Sequence, residues 1–500
     1  MVAREGLTLS RKTIAGAAIV AVTLVVLVAP AAASPAEHGY ELTVDESPAP
    51  GLVRQTWHRG GDAPQIVNVA RIQPDHGLAV RAVLSRERIA GGGSRLERTS
   101  AMCRRVECLV AVNADFAMPG EDTPVGGMIA AGEMVRSFSP QHHQISVRGD
   151  GSLSTEPVGW RGQVMPTDLE GADLTGVNVP RREHDLILYT PRYGPSTGTN
   201  PHGVELVLEP VEPGVALLLD STVAMRVTAI RQGAGDTALS EGRVVISGHG
   251  TAAAALASLA ARIAAGDAGD TVLLRLETDG EVVQSVGGTP VLVRDGRRYV
   301  GGDGPAFVSK RHPRTMAGWT AEGEMLLVTV DGRQPGRAAG MTLAEAADLM
   351  IALGAVEALN LDGGGSSTFV AGGQVANRPS DRLVRGDGGA RVVPVPGAGQ
   401  QVVGYLERPV VSALVVVPEA TATLVASPPP SAEMLGPPTS AAEMARRVDP
   451  GSNPLDALPD LVVRLDDTGR LPAAPALVAV VALVFAAGGL GAMTRHRYAA

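Results

Sequence analysis

Lysine, cysteine and aromatic residues are scarce in this chain of 500 residues. Lys12 and Lys310 are its only lysines, so arginine carries almost all of the positive charge. Acidic residues outnumber basic ones by 52 to 43, and the net charge of −9 provides no electrostatic footprint for a nucleic-acid partner. Aromatic residues make up 3% of the chain, which leaves few rings for stacking against a ligand.

Familiar nucleotide and hydrolase motifs are also absent. The chain has no G-x(4)-G-K-[ST] sequence, so its glycine-rich segments are not a nucleotide P-loop. It also lacks the H-E-x-x-H of a zinc protease. Hydrophobic residues nevertheless make up 45% and charged residues 19%, values typical of a globular protein.

The only two cysteines, Cys103 and Cys108, stand close together in M-C-R-R-V-E-C-L. Two cysteines cannot complete a structural zinc site, and an even number outside the cytoplasm favours a disulfide. We therefore predict a disulfide that closes a small local loop. No cofactor and no metal site are expected.

Both ends of the chain have the pattern of targeting segments. Residues 1–33 combine basic residues, an apolar run and small residues before Ser34, the order found in a secretory signal peptide. Residues 473–493 are apolar over a length that spans a bilayer, and the basic residues after them place the tail 494–500 in the cytoplasm. We expect a single-pass protein of the cell membrane whose main domain is extracellular. The alternatives are an uncleaved signal anchor at the first segment and a buried core helix at the second.

Residues 40–403 have the pattern of one folded domain. Short apolar runs bounded by turn residues predict strands at 78–84, 109–112, 186–189, 204–208, 272–276 and 325–330. Helices are predicted at 251–265 and at 342–353, where the second begins with the capping box T-L-A-E and stops at Gly354. Strands outnumber helices, so we predict an α+β fold with a large mixed sheet. The proline-rich composition of 404–472 predicts a spacer.

The segment 358–370 reads A-L-N-L-D-G-G-G-S-S-T-F-V and is the strongest candidate for a site. Its apolar run has the length of a buried strand, and Asp362 stands where that strand would leave the sheet. The three glycines lack a Cβ, so a ligand can approach their N–H groups, and the hydroxyls that follow suit an oxyanion. The alternative is a flexible turn between two strands.

A second carboxylate is expected beside Asp362. The strand predicted at 325–330 ends in Asp331, and the capped helix lies between this strand and the one that ends in Asp362. If the two strands are parallel neighbours, the helix is their crossover and both aspartates emerge side by side at one edge. Such a pair could divide general acid and general base roles, whereas the alternative is that each aspartate caps a turn.

Two further groups of polar residues precede this unit. The motif R-H-P-R-T provides an arginine fork and a hydroxyl suited to phosphate, with a surface ion pair as the alternative. The apolar runs that end in N-A-D-F and S-V-G-G-T-P are weaker signals of the same kind. The predicted catalytic residues are Asp362 and Asp331, and the predicted phosphate- and substrate-binding residues are Arg314, Thr315, Asn360, Gly363, Gly364, Gly365, Ser366, Ser367, Asn113, Asp115, Gly288 and Thr289.

These motifs, with L-Y-T-P-R-Y-G, V-D-G-R and N-R-P-S-D, occur in an order that resembles the phosphodiester glycosidase family. The resemblance covers roughly 40–403. It implies hydrolysis of a sugar-1-phosphodiester; the animal member removes N-acetylglucosamine from a phosphodiester on mannose, and bacterial members are associated with exopolysaccharide and cell-envelope glycans. Relatives often have a glycine- or aromatic-rich turn after Asn113, where this chain has A-D-F-A. The candidate rings for stacking on a sugar are Phe116, Tyr189, Tyr193 and Trp319.

The leading hypothesis is therefore an exported, membrane-tethered hydrolase that acts on a carbohydrate phosphodiester of the cell envelope or an exopolysaccharide. One alternative is a metal-dependent phosphodiesterase that cuts the P–O bond with Asp362, Asp331 and Asn360 as oxygen ligands. Another is a tethered glycan-binding protein without catalysis.

Overall fold

The computed structural model describes residues 34–73, 76–89, 96–118, 122–138, 142–166, 171–266, 269–300, 305–386, 389–393 and 400–419. The predicted signal segment, the proline-rich part of the spacer from 420 onward and the predicted span at 473–493 lie outside these residues. Among the described residues, no helix combines the length and the apolar character needed to cross a membrane.

The helices are few and short. They are α1 (Thr99–Arg105), α2 (Thr251–Ala265), α3 (Ala306–Ser309) and α4 (Leu343–Ala352). The strands of the first half are β1 (Glu41–Ala49), β2 (Leu52–Arg59), β3 (Gln65–Ile72), β4 (Leu78–Leu84), β5 (Val110–Asn113), β6 (Met128–Ala130), β7 (Glu133–Arg136), β8 (His143–Arg148), β9 (Leu153–Ser154), β10 (Trp160–Pro166), β11 (Ala172–Asp173), β12 (Gly176–Val177), β13 (Leu186–Tyr189) and β14 (Val204–Pro210). Those of the second half are β15 (Ser221–Gln232), β16 (Val244–Gly248), β17 (Thr271–Thr278), β18 (Val282–Gly288), β19 (Val291–Arg294), β20 (Arg297–Arg298), β21 (Arg314–Thr320), β22 (Met325–Val330), β23 (Ala355–Asn360), β24 (Phe369–Ala371), β25 (Gln374–Val375), β26 (Asp381–Gly386), β27 (Gly389–Val393), β28 (Gln401–Leu406) and β29 (Ser412–Pro418).

The sheet-rich character agrees with the predicted α+β class, and each strand and helix predicted within residues 40–403 is present. β4, β13 and β22 have the predicted bounds, as does α2, and the others differ by a few residues at their ends. The agreement is close because these segments are apolar runs bounded by turn residues, and that pattern is local.

The central sheet has the strand order β1-β2-β3-β22-β21-β23-β19-β20. β22 and β23 were expected to be neighbours, and this expectation was wrong: β21 lies between them and is antiparallel to both. The two outer strands therefore run in the same direction, and α4 carries the chain across β21 from one to the other. The sequence pattern indicates the length of each strand. It does not indicate the order of the strands in the sheet, because that order depends on pairing between distant segments.

One face of the central sheet is covered by α4. Apolar residues of the helix, including Leu343, Ala347 and Met350, are buried against Met316, Val328 and other strand residues. The predicted capping box is present: the Glu345 N–H donates to the Thr342 hydroxyl at 3.1 Å, and the Thr342 N–H donates to the Glu345 carboxylate at 2.9 Å. This reciprocal pair satisfies backbone donors that the first turn would otherwise leave unpaired.

The opposite face packs against two smaller sheets, with orders β25-β24-β5-β29-β4 and β7-β6-β18-β8-β9. A shared apolar core joins the three sheets and includes Leu327, Leu359, Phe369, Val112 and Leu414. The central sheet is thus buried on both faces, which explains why β22 is apolar at nearly every position rather than alternating.

A further sheet, with order β11-β10-β17-β15-β14-β16-β13-β12, has its own core with α2. This sheet holds the L-Y-T-P-R-Y-G motif. Its core also includes Met134 and Val282 from the sheet of β6 and β18, so the two parts of the molecule are packed together.

The fold extends past 403, where the spacer was expected to begin. β28 continues to Leu406, and β29 pairs with both β4 and β5 in the middle of its sheet. The run V-V-S-A-L-V-V-V-P is a buried strand, and the proline-rich composition begins only after it. The predicted disulfide between Cys103 and Cys108 is present and lies at the end of α1.

The capping box gives a test of the fold. Replacing Thr342 by Ala removes the acceptor for the Glu345 N–H, so we expect the free energy of unfolding to fall by about 1 kcal/mol. Chemical denaturation measures the change. Thr251→Ala, at the exposed first residue of α2 where the side chain does not cap the helix, is the matched control and should change stability much less. Equal effects of the two substitutions would contradict the assigned role.

Candidate active site

Polar residues gather at one edge of the central sheet. Asp331 follows β22 and Asp362 follows β23 at this edge, while β21 begins there at Arg314. Adjacent strands lie about 4.8 Å apart, so the backbones at the two aspartates are separated by roughly 10 Å. The aspartates share an edge, as predicted, but they are not side by side.

The residues after Asp362, here called the glycine turn (363–367), connect the central sheet to the sheet of β5. Asn113, at the end of β5, forms hydrogen bonds with the residues on both sides of the glycine turn. Its Nδ2 donates to the Asp362 carbonyl at 2.6 Å, and its Oδ1 accepts from the Thr315 hydroxyl at 2.8 Å and from the Thr368 N–H at 3.0 Å. The amide is fully buried, so each lost bond would leave a polar group without water.

The same junction brings Asp115 near Asp362. The Asp362 N–H donates to the Ala114 carbonyl at 2.9 Å, and Asp115 is the next residue. Burial raises the pKa of Asp115 to about 7, although its carboxylate accepts from the N–H groups of Phe116 and Gly126 at 2.7 and 2.8 Å. The negative charge of Asp362 contributes to this rise.

Burial also raises the pKa of Asp362, to about 6, against the opposing effects of the Ser366 hydroxyl, Arg408 and the Gly363 N–H. Asp362 remains partly exposed, whereas Asp115 is 1% exposed. Two coupled carboxyl groups with pKa values near neutrality are suited to proton transfer, and Asp362 is the one that a ligand can reach.

Asp331, the other predicted acid–base residue, is enclosed by protein donors, and burial raises its pKa. Its buried carboxylate accepts from Arg337 Nη1 at 2.8 Å, from Asn377 Nδ2 at 3.0 Å and from the Arg378 N–H at 3.3 Å. Asn377 also donates to the Ser367 carbonyl at 3.1 Å. Asp331 therefore supports the glycine turn through Asn377, because its own oxygens are occupied by protein donors.

Two arginines lie against the glycine turn. Gly364 has a φ of 65°, and a Cβ on it would lie 3.0 Å from Nη2 of Arg333. A Cβ on Gly365 would overlap the guanidinium of Arg408, which is paired with Asp381 at 2.9 and 3.0 Å. The glycines thus let two guanidinium groups approach the backbone of the turn. The N–H groups of Gly364, Ser366 and Ser367 donate to carbonyl oxygens at 2.9, 3.3 and 3.4 Å, so the guanidinium groups, rather than these N–H groups, are the donors that an anion can meet.

Arg314 was predicted to bind phosphate, but its side chain points into the protein. Nε donates to the Met341 carbonyl at 2.9 Å, and Nη2 donates to the carbonyls of Phe307 and Lys310 at 2.7 and 3.0 Å. Burial, and then repulsion from Arg333, lowers its pKa to about 10. Arg314 contributes a buried positive charge beneath the edge of the site and holds the segment around α3 in place.

Most of the aromatic rings that were predicted to stack on a sugar lie away from the site. Phe116 contacts Phe307 edge to face, with ring centroids 6.2 Å apart, beside Asp115. Tyr189 and Tyr193 form a pair in the core of the sheet that contains β13, and Trp319 lies at the opposite end of β21 from Arg314. Phe116 is thus the one predicted ring that the structure brings to the edge of the site, and Phe307 is added.

Asn360, the last residue of β23, and Thr289, which follows β18, are in contact with each other. Asn360 Nδ2 donates to the Thr289 carbonyl at 2.7 Å, and Gly288 lets the two strands approach because a Cβ there would lie 2.7 Å from the Asn360 carbonyl. Within the described parts of the chain, Asn360 Oδ1, Ser367 Oγ and Thr368 Oγ1 are buried polar atoms without a hydrogen-bond partner. Such atoms are uncommon in folded proteins and cluster here around the glycine turn.

The structure therefore brings predicted residues of four motifs into one region. The motifs are N-A-D-F, S-V-G-G-T-P, R-H-P-R-T and the segment 358–370. Residues missed from the sequence are Arg333, Arg408 and Phe307. Arg333 stands in the V-D-G-R motif, which was a usable signal, whereas Arg408 follows the position at which the domain was thought to end.

Comparison with known proteins finds similarity in this region. Residues 219–417, about two fifths of the chain, match the phosphodiester glycosidase family. The bovine N-acetylglucosamine-1-phosphodiester alpha-N-acetylglucosaminidase is 35% identical over 119 residues, which are 21% of this chain and 22% of the bovine protein. The human enzyme of the same name is 34% identical over 119 residues, 21% of this chain and 23% of its own length.

A solved structure of a hypothetical protein from Synechocystis has a similar fold, with a TM-score of 0.51 and 20% identity over 76% of this chain and 68% of that one. Residues 219–417, which match the family, include Asp331, Asp362 and the glycine turn. Asn113 and Asp115 precede it along the chain, and the fold brings them to the same site.

The raised pKa values predict how stability depends on pH. Unfolded aspartates ionise near 3.8, whereas Asp362 and Asp115 in the folded protein retain protons up to about pH 6 and 7. The folded state therefore binds more protons between about pH 4 and 7, and its stability must fall as the pH rises through this range.

Asp362→Asn removes one of these titrations, so we expect the melting temperature of the variant to fall less than that of the wild type between about pH 4 and 8. Thermal unfolding at a series of pH values measures the difference. Asp348→Asn, at an exposed position on α4, is the control and should retain the wild-type dependence. An unchanged pH dependence in Asp362→Asn would show that this carboxyl has an ordinary pKa.

Proposed function

We propose that the protein hydrolyses the bond between the anomeric carbon of a sugar and a phosphodiester. The observation that carries the proposal is the arrangement around the glycine turn. Asp362, a partly exposed residue, immediately precedes the turn, and the guanidinium groups of Arg333 and Arg408 lie against Gly364 and Gly365. The match of residues 219–417 to the phosphodiester glycosidase family supports the same reaction class.

The phosphate is assigned to the arginine side of the turn. The planar fork of donors on an arginine is suited to phosphate oxygens. Arg333 has His312 as its hydrogen-bond partner at 3.3 Å, and burial together with nearby arginines lowers the pKa of that histidine, which favours its uncharged form. The positive charge of Arg333 is consequently available to an anion.

The sugar is assigned to the carboxylate side. Midway between their pKa values of about 6 and about 7, Asp362 is mostly ionised and Asp115 is mostly protonated, so the pair carries about one negative charge there. That charge can stabilise the oxocarbenium-like transition state of glycoside hydrolysis, and Phe116 and Phe307 provide an apolar wall beside it.

In the reaction, the C–O bond breaks and its electron pair remains on the phosphate oxygen. Water attacks the anomeric carbon, and its proton passes to the Asp362 carboxylate and then to solvent. The products are a free sugar and a phosphate monoester. Because the phosphate is already a good leaving group, the site needs anion stabilisation more than a strong general acid.

The cellular setting is part of the proposal. The sequence pattern of 1–33 and 473–493 supports export and tethering, with the catalytic domain outside the membrane. Envelope or exopolysaccharide phosphoglycans would then be within reach of the site.

The proposal predicts that Asp362→Asn loses about 100- to 10,000-fold in turnover of a sugar-1-phosphodiester, the range typical of a lost acid–base group. Release of phosphate monoester from N-acetylglucosamine-1-phosphomethyl ester measures the rate. Asp348→Asn should retain wild-type activity, and far-ultraviolet circular dichroism should be unchanged in both. An Asp362→Asn protein with wild-type turnover would refute the assigned role.

A further inference from the structure

A pocket of about 620 Å³ opens beside the glycine turn. Four arginines line it together with one aromatic ring, and no acidic side chain lines it. These residues, here called the arginine pocket, are Arg333, Arg337, Arg378, Arg382 and Tyr405.

Most of the positive charge in the arginine pocket has no carboxylate partner among the described residues. Arg337 is paired with Asp331 at 2.8 Å, but Arg333, Arg378 and Arg382 form no such ion pair. Arg382 is 4% exposed, and its Nε has no hydrogen-bond partner in the described parts of the chain. Leaving a buried guanidinium donor unpaired is costly unless a ligand supplies the acceptor.

The geometry of the guanidinium groups suits a flat or multivalent anion. The Arg378 guanidinium stacks over the Tyr405 ring at 3.9 Å, and that of Arg382 lies 6.0 Å from the same ring. Stacking fixes the plane of a guanidinium while its edge N–H groups remain free to donate. Tyr405 thus orients Arg378, and Arg382 lies near the same ring.

The arginine pocket is continuous with the phosphate side of the site. Arg333 lines the pocket and also lies against Gly364, two residues after Asp362. Asp115, by contrast, adjoins Asp362 itself. A substrate with its sugar beside the carboxylates and its phosphodiester at the turn would therefore extend its leaving group past Arg333 into the pocket.

We infer that the arginine pocket binds a second phosphate carried by the leaving group, so that the substrate is a sugar-1-phosphodiester of a phosphorylated alcohol. This inference rests on the proposed function for its orientation. The pocket itself, as an anion site, stands on its own residues.

Binding of inorganic tripolyphosphate to the full-length Asp362→Asn protein tests the anion site without any turnover. Isothermal titration calorimetry should show a dissociation constant about tenfold weaker after Arg378→Gln or Arg382→Gln is added, as expected for loss of one charge-assisted hydrogen bond. Arg385→Gln removes the same charge from the exposed side of β26 and is the matched control. Arg378 is partly exposed, so its variant remains informative if the buried Arg382 variant does not fold. Equal affinity in Arg378→Gln and Arg385→Gln, or no binding in any variant, would overturn the anion site.

A pair of substrates then tests the second phosphate. We expect the wild type to favour N-acetylglucosamine-1-phosphoglycerol 3-phosphate over N-acetylglucosamine-1-phosphoglycerol about tenfold in kcat/KM, and Arg378→Gln to bring that ratio near one. The ratio cancels any general loss of activity. Retention of the preference in Arg378→Gln would overturn the inference, as would a wild-type ratio near one. Absence of turnover of both substrates would refute the proposed function and the substrate assignment together, while tripolyphosphate binding would still decide the anion site.

Discussion

The buried side-chain amide of Asn113 is the contact on which the candidate site depends. It joins the end of β5 to the start of β21, to the Asp362 carbonyl and to the Thr368 N–H. These groups belong to two different sheets, so this amide links the glycine turn to both of them. A neighbouring backbone bond, from the Asp362 N–H to the Ala114 carbonyl, places Asp115 beside Asp362. Uncharged groups of the 113–114 segment therefore help to set the geometry of the charged ones.

Charge is separated along the glycine turn. The carboxyl groups of Asp115 and Asp362 lie at its first residue, and the guanidinium groups of Arg333 and Arg408 lie at its middle. Burial weakens the tendency of each group to ionise, which is why the pKa values of the aspartates rise and that of Arg333 falls. A ligand with a cationic centre and an adjacent phosphate would relieve both costs, which is the charge pattern of a sugar phosphodiester as its glycosidic bond breaks.

The sequence predicted the elements whose signals are local. The capping box at Thr342 and the apolar run of β22 depend on residues within a few positions, and the position of Asp362 after a buried strand depends on the same kind of pattern. Strand order, the enclosure of Asp331 by Arg337 and Asn377, and the inward turn of Arg314 could not be predicted. These features arise from contacts between segments far apart in the chain, and a single sequence contains no record of them.

Cleavage of a sugar-1-phosphodiester in oxygen-18 water tests the central claim most directly. If the carboxylates act on the anomeric carbon while the arginines hold the phosphate, the C–O bond breaks and mass spectrometry will find the label in the released sugar. The phosphate monoester will then contain only ordinary oxygen. Label in the phosphate would mean that the P–O bond breaks, and it would contradict the roles assigned here to both sides of the glycine turn.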